Sequence, residues 1–229
     1  MPPLSYGAVV HPIRYTATMT ADAIFAKWDS WLSTIHREGF LVNRHIFREV
    51  QAIIQANPKI QLASSFYEWM GNTYATTQVI GVRRQLDKDP DSISFARLLG
   101  EIIANPEVLS RDRYVALYTT NPREMAERDF DRLVGAGRTS IDPAAPAKEL
   151  ATLETTADRI RKYANKRIAH FDRSDFKNVP AYAELDDSLD YLEHLLKQYL
   201  LLLRAKAYTT IVPVWQYDWK QVFRSAWIE

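Results

Sequence analysis

Between Leu150 and Phe171 the apolar and small residues fall at Leu150, Leu153, Ala157, Ile160, Ala164, Ile168 and Phe171, a spacing of three and four throughout. That period follows one face of an α-helix and conflicts with the two-residue alternation of a half-buried strand. A second seam runs Leu185, Leu189, Leu192, Leu196, Tyr199 and Leu203, parted from the first by a breaker segment around Asn178 and Pro180. The two seams predict one long helix each, joined by a short turn into an antiparallel hairpin. With only seven glycines in 229 residues, the expected fold class is all-α, an antiparallel helical bundle.

Upstream, local chemistry marks where helices begin and end. Thr20 is placed to cap a helix carrying Ile24, Trp28 and Trp31, and a further helix over Phe40 to Ala56 stops before Asn57-Pro58. Ser64 or Ser65 opens a long mixed segment that ends in the charged turn DKDPDS, and Ser94 begins FARLLGEIIAN. Shorter helices are expected near Arg111 to Tyr118 and Pro122 to Leu133, followed by GAGRTSIDPAAPA as a linker. The chain is read as a single helical domain over residues 1–229, with an extended N-terminal segment 1–19 and an aromatic-rich C-terminal segment 211–229. The tail WQYDWKQVFRSAWIE holds three of the six tryptophans and is expected to clamp onto the bundle or to dock a partner, because that much aromatic surface is costly in water.

Twenty-nine Lys and Arg against 28 Asp and Glu give a net charge of +1, so the chain lacks the global basic excess of proteins that coat nucleic acid. Any anion site must be local. The absence of cysteine removes disulfide scaffolds, thiolate nucleophiles and Cys-based metal sites. His11, His36, His45, His170 and His194 show no close ligand spacing, so no metal and no cofactor are expected. The N-terminus lacks a basic leader followed by an apolar core, and Leu195 to Leu203 is too short to span a bilayer, so the expectation is a cytoplasmic protein without membrane contact. There is no H-E-x-x-H, G-x-S-x-G or Walker A motif.

One segment is locally cationic. Arg159 to Arg173 (RIRKYANKRIAHFDR) carries six basic side chains against one acid, Asp172. Helical phase places Tyr163, Lys166, Arg167 and His170 along one side, while Ile160, Ala164, Ile168 and Phe171 turn toward the core. An imidazole with an unperturbed pKa of about 6.5 can move protons near neutral pH, and neighbouring cations can hold a phosphodiester. The competing reading is a solvated basic face paired with Glu184, Asp186, Asp187, Asp190 and Glu193 on the next helix.

Tyr163-Ala-Asn-Lys-Arg-Ile-Ala-His170-Phe-Asp172 resembles the signature helix of the HEPN superfamily, an Arg followed after four to six residues by His, commonly with Asn after the Arg and a small residue before the His. Arg83 to Asp89 (RRQLDKD), with Ser92, Ser94, Arg97 and Leu99, is similar to the abortive-infection U-like branch, as are NRHIFREVQ (43–51) and SSFYEWMGN (64–72). The resemblance spans roughly Trp28 to Arg204. It implies a helical bundle that dimerises with two signature helices facing each other across a cleft. It also implies metal-independent endoribonuclease activity, in which histidine assists proton transfer and arginine holds the phosphate while the ribose 2′-hydroxyl attacks. Proteins of this kind act as toxins in toxin–antitoxin pairs and as phage-defence effectors. The implied partners are therefore RNA, a second copy of the chain and a cognate antitoxin protein. On this resemblance His170 is the proton-transfer residue, Asn165 supports it, Lys166, Arg167, Arg161 and Lys162 attract RNA, and Asp87 is an orienting acid.

The sequence departs from the signature at its arginine, because alignment on Asn165-Lys166 places that position at Ala164. Arg161 lies too far upstream and Arg167 too close to His170 to fill it. Loss of one preorganised donor typically costs ~10²- to 10³-fold in rate. The chain is therefore expected to be a silent or weakened ribonuclease, and arginine at 164 is expected to restore cleavage. Either an arginine has been replaced here or the chain is a degenerate member that binds RNA or a protein without cutting; a third reading makes Ala164 a small core residue. Asp172 stands where one subgroup of the family carries a tyrosine that is modified by nucleotidyl transfer, so that mode of antitoxin control is not expected.

Overall fold

The computed structural model describes residues 19–120, 122–168 and 179–225, and among these every regular element is helical apart from one isolated bridge between Ser110 and Ser140. The elements are α1 (Ala21–Arg37), α2 (Phe40–Ala56), α3 (Ser65–Gln85), α4 (Phe95–Ala104), α5 (Arg111–Ala116), α6 (Arg123–Val134), α7 (Ala144–Thr156), α8 (Asp158–Tyr163) and α9 (Tyr182–Arg204). A single π-helical turn, Ala164–Ile168, continues α8. No described helix is long and apolar enough to cross a membrane.

The cap chemistry read from the sequence is in place. Thr20 Oγ1 accepts the Ala23 N–H, Ser64 Oγ the Phe66 N–H and Ser94 Oγ the Arg97 N–H, each occupying a donor that has no partner within its helix. α2 starts from Gly39 at φ +79°, a left-handed turn that a side chain would strain, and it ends at Ala56 before Asn57-Pro58.

α9 is the centre of the core, and α1, α3 and α7 pack on it. Its whole seam, Leu185, Leu189, Leu192, Leu196, Tyr199 and Leu203, is buried. Each such leucine contributes about 1.5–3 kcal/mol by leaving water. The register with α7 and α8 runs antiparallel. Tyr199 Oη donates to Glu149 Oε2 at 2.6 Å, Ser188 Oγ approaches the Thr156 carbonyl at 3.4 Å, and Arg159 pairs with Glu184. α4 bridges α1 and α7, α2 lies on α3, and α5 packs on α6.

α3 has a poorly segregated sequence because it buries amides rather than a clean apolar stripe. Gln78 Nε2 donates to the Phe40 carbonyl at 2.8 Å, and Gln85 Oε1 accepts the Phe95 N–H at 3.2 Å while its Nε2 donates to Glu38. These side chains satisfy backbone groups at the starts of α2 and α4.

The first seam is not one uninterrupted helix. The backbone leaves helical geometry at Ala157 (φ −99°, ψ 6°), dividing α7 from α8. Thr152 and Thr155 donate their hydroxyls back to the carbonyls of Lys148 and Ala151, and Ser188 draws on the Thr156 carbonyl, a pattern that bends helices by competing for the ladder. The expected linker is also more structured than its composition suggests. Arg111 Nε donates to the Arg138 carbonyl, Gly137 N–H to Asp131, and Arg138 pairs with Asp142 at 2.8 Å.

Just before the C-terminal tail Tyr208 packs on the core, and within it Ile211 is buried and Lys220 pairs with Glu49 of α2, yet Val214, Trp215 and Tyr217 stay exposed. The clamp expected from the aromatic content is therefore partial. Residues 226–229, the N-terminal segment through residue 18 and Asn121 lie outside the described residues.

Candidate functional site

The C-terminal turn of α3, the loop that follows it, α7 and α8 enclose a pocket of about 840 Å³. α3 brings Arg83, the loop that begins at its C-cap brings Leu86, Asp87 and Lys88, α7 brings Glu154 and Thr155, α8 brings Asp158 and Arg161, and the π turn brings Asn165. The loop holds Asp87 through its own hydrogen bonds. Asp87 Oδ1 accepts the Asp89 N–H at 2.9 Å, and the Asp87 carbonyl accepts the Ser94 hydroxyl.

Three side chains named from the sequence, Asp87, Arg161 and Asn165, therefore share one cavity although the first is far from the others along the chain. Lys166 and Lys162 are exposed, Arg167 is half-buried, and none of the three lines the pocket. Lys162 and Arg161 both bind Asp158, at 2.6 and 2.8 Å. Hydrogen bonds from Lys162 and then Arg161 hold the Asp158 carboxyl below the ordinary carboxylate range, so it stays ionised. His170, with Phe171 and Asp172, lies outside the described residues.

Ala164 is fully buried and belongs to the apolar core with Ile160 and Leu153. Its methyl group faces that core, and nothing from this position reaches the pocket. Asn165, the next residue, is half-buried, and its Oδ1 accepts the Nε–H of Arg83 at 2.5 Å. Sequence reasoning did not single out Arg83 as a site residue. The one signal available was its place in the stretch Arg83 to Asp89 that resembles the abortive-infection branch.

The acidic stretch of α9 does not neutralise the basic helix as its neighbour in sequence would. Glu184 pairs with it through Arg159. Asp190 and Glu193 instead hold the buried Arg44 of α2, each at 2.5 Å, and Asp186 holds Arg48 at 3.0 Å. Among the described residues no group of three histidine or acidic side chains is placed to hold a metal ion. The chemical character of the pocket is that of amide and cationic donors beside carboxylates, open to solvent.

A family model described as AbiU2, in the HEPN group, matches residues 25–221 of the chain. No curated protein and no solved structure matches it.

Proposed function

Because the chain belongs to the HEPN AbiU2 family, an abortive-infection group, we propose that it is a metal-independent endoribonuclease of a toxin–antitoxin or phage-defence system, working as a cytoplasmic homodimer and weakened by the alanine at its signature arginine position. The observation that carries this reading is the convergence of Asn165, Arg161 and Asp87 on one pocket beside the signature segment. His170 transfers the proton, Asn165 orients the reacting groups, and Arg161, Lys162, Lys166 and Arg167 draw RNA toward the groove by its phosphates. Ala164, buried in the core, supplies no donor, so the signature position itself gives the reaction nothing. A cognate antitoxin protein holds the activity in check.

The test is incubation of the full chain with labelled RNA and its all-deoxy counterpart in the presence of EDTA, beside His170→Ala. RNA cut to 2′,3′-cyclic phosphate ends, intact DNA and a silent His170→Ala chain are expected. Intact RNA under these conditions defeats the reading.

A second reading, a non-catalytic module that docks RNA or a protein, is favoured by the exposure of Trp215 and Tyr217 on the tail. Binding that weakens steeply with salt marks phosphate contacts, and binding indifferent to salt marks a protein partner.

A further inference from the structure

Resting on the reading of this pocket as an RNA-cleaving site, we propose that Arg83 of α3 supplies the phosphate-binding guanidinium that the signature position, occupied by Ala164, lacks. The missing group arrives from a neighbouring helix rather than from the signature helix itself.

Four observations lead there. Ala164 is fully buried, so no side chain at that position turns to the pocket without leaving the core. Arg83 nevertheless brings its guanidinium to the adjacent residue, with Nε 2.5 Å from Asn165 Oδ1. The other cations of the lining are neutralised locally, Lys88 by Glu154 and Arg161 by Asp158. Among the described residues Arg83 has no carboxylate in ion-pair range, and its one hydrogen bond goes to a neutral amide. Arg84, one residue on, points elsewhere and approaches Glu38 at 4.0 Å.

This arrangement suits a phosphodiester. With Nε engaged by Asn165, the two terminal nitrogens of the guanidinium remain for the non-bridging oxygens, a parallel pair of charge-assisted hydrogen bonds that lysine cannot reproduce. The hydrogen bond to Asn165 fixes the plane of the fork before substrate arrives, so little rotamer freedom is lost on binding. Asn165 keeps its Nδ2 donor for the same anion or for the attacking ribose. In the reaction the ribose 2′-oxygen forms a bond to phosphorus as the bond from phosphorus to the 5′-oxygen breaks. The 2′-hydroxyl proton passes to a base, the departing 5′-oxygen receives a proton, and Arg83 neither gains nor loses one. Its part is to offset the charge that accumulates on the phosphoryl oxygens.

The experiment compares the full-length chain with Arg83→Gln and Arg83→Lys. Glutamine keeps an N–H donor for Asn165 but removes the charge, and lysine keeps the charge but removes the fork. Cleavage of labelled single-stranded RNA is measured in EDTA, and binding of a non-cleavable 2′-O-methyl RNA is followed by anisotropy across a potassium chloride series. For Arg83→Gln, a ~10²- to 10³-fold loss of cleavage is expected, with a log–log salt slope shallower by about 0.7. Arg83→Lys is expected to recover the slope and only part of the rate. Unchanged cleavage and salt slope in a folded Arg83→Gln chain overturn the proposal while leaving the ribonuclease reading intact. A wild-type chain that binds RNA without cutting it defeats the ribonuclease reading, and the slope alone then decides whether Arg83 is a phosphate ligand. A wild-type chain that neither binds nor cuts defeats both.

Discussion

Lys88, in the loop after α3, forms an ion pair with Glu154 of α7, and both residues line the pocket. Glu154 thereby neutralises a cation of the pocket lining. Substituting Glu154→Gln removes the carboxylate and leaves Lys88 to the ligand. Tighter RNA binding at low salt is expected, with a log–log salt slope steeper by about 0.7. Anisotropy titrations of the two proteins at several salt concentrations check it, and an identical slope contradicts it.

Ala164→Arg tests the signature position directly. The wild-type side chain is fully buried, so a guanidinium there must overpack the core, at ~1–3 kcal/mol, or carry a charge into it at further cost. A clear fall in melting temperature is expected, without the gain in cleavage that the signature pattern alone suggests. A variant as stable as the parent and more active would show that the turn can rotate this side chain into the pocket.

Arg44 and Arg48 lie one turn apart on α2, and both pair with acids of α9, yet their environments differ. The Arg44 side chain is 6% exposed and holds two carboxylates, whereas that of Arg48 is 54% exposed and holds one. Because Asp190 and Glu193 regain water when released, Arg44→Ala is expected to cost about 2–4 kcal/mol, below the upper range for a fully buried pair. Arg48→Ala should cost ~0–1 kcal/mol. Urea denaturation of the two variants separates them.

Ala205 ends α9 in the left-handed region at φ 51° and ψ 32°. An L side chain is strained there, and glycine is not, so Ala205→Gly is expected to raise stability by about 0.5–1 kcal/mol. Thermal unfolding gives the sign at once.

At high pH the fold should weaken as its buried tyrosines are driven to ionise. Burial, and then the nearby Asp186 charge, push Tyr74 up from 10.0 to about 12, and burial with Glu149 holds Tyr199 well above its ordinary value. A raised folded pKa means that the native state keeps a proton which the unfolded chain has already released. Stability from these groups is complete below pH 10 and declines as pH climbs from about 10 toward 12. Melting temperatures across that range should fall, and Tyr74→Phe should fall less.

What could be read from the sequence was what local chemistry decides. The caps at Thr20, Ser64 and Ser94, the stop at Ala56 and the buried α9 seam each depend on residues within a few positions of one another. The interruption at Ala157 was hidden because the apolar spacing continues through it, and the hydroxyls that cause it carry no periodic signal. Sequence proximity suggests the preceding basic helix as the partner of the α9 acids, whereas packing gives Asp186, Asp190 and Glu193 to Arg44 and Arg48 of α2. The contact between Arg83 and Asn165 joins positions 82 residues apart, and no local pattern announces such a meeting. Ala164, in phase with Ile160, is legible as a core residue, whereas the signature alignment alone assigns its position to the candidate site.

The packing of α1 against α9 sets an order of events during synthesis. The Trp28 and Leu32 face leaves the ribosome long before Leu192 to Leu203 exists to cover it, so the growing chain carries a helix face that is fully buried in the native fold without its α9 partner for most of translation. Closure of the core depends on contacts between α1 and α9, the two ends of the helical array, and contacts of such long sequence separation form more slowly than those between neighbouring helices.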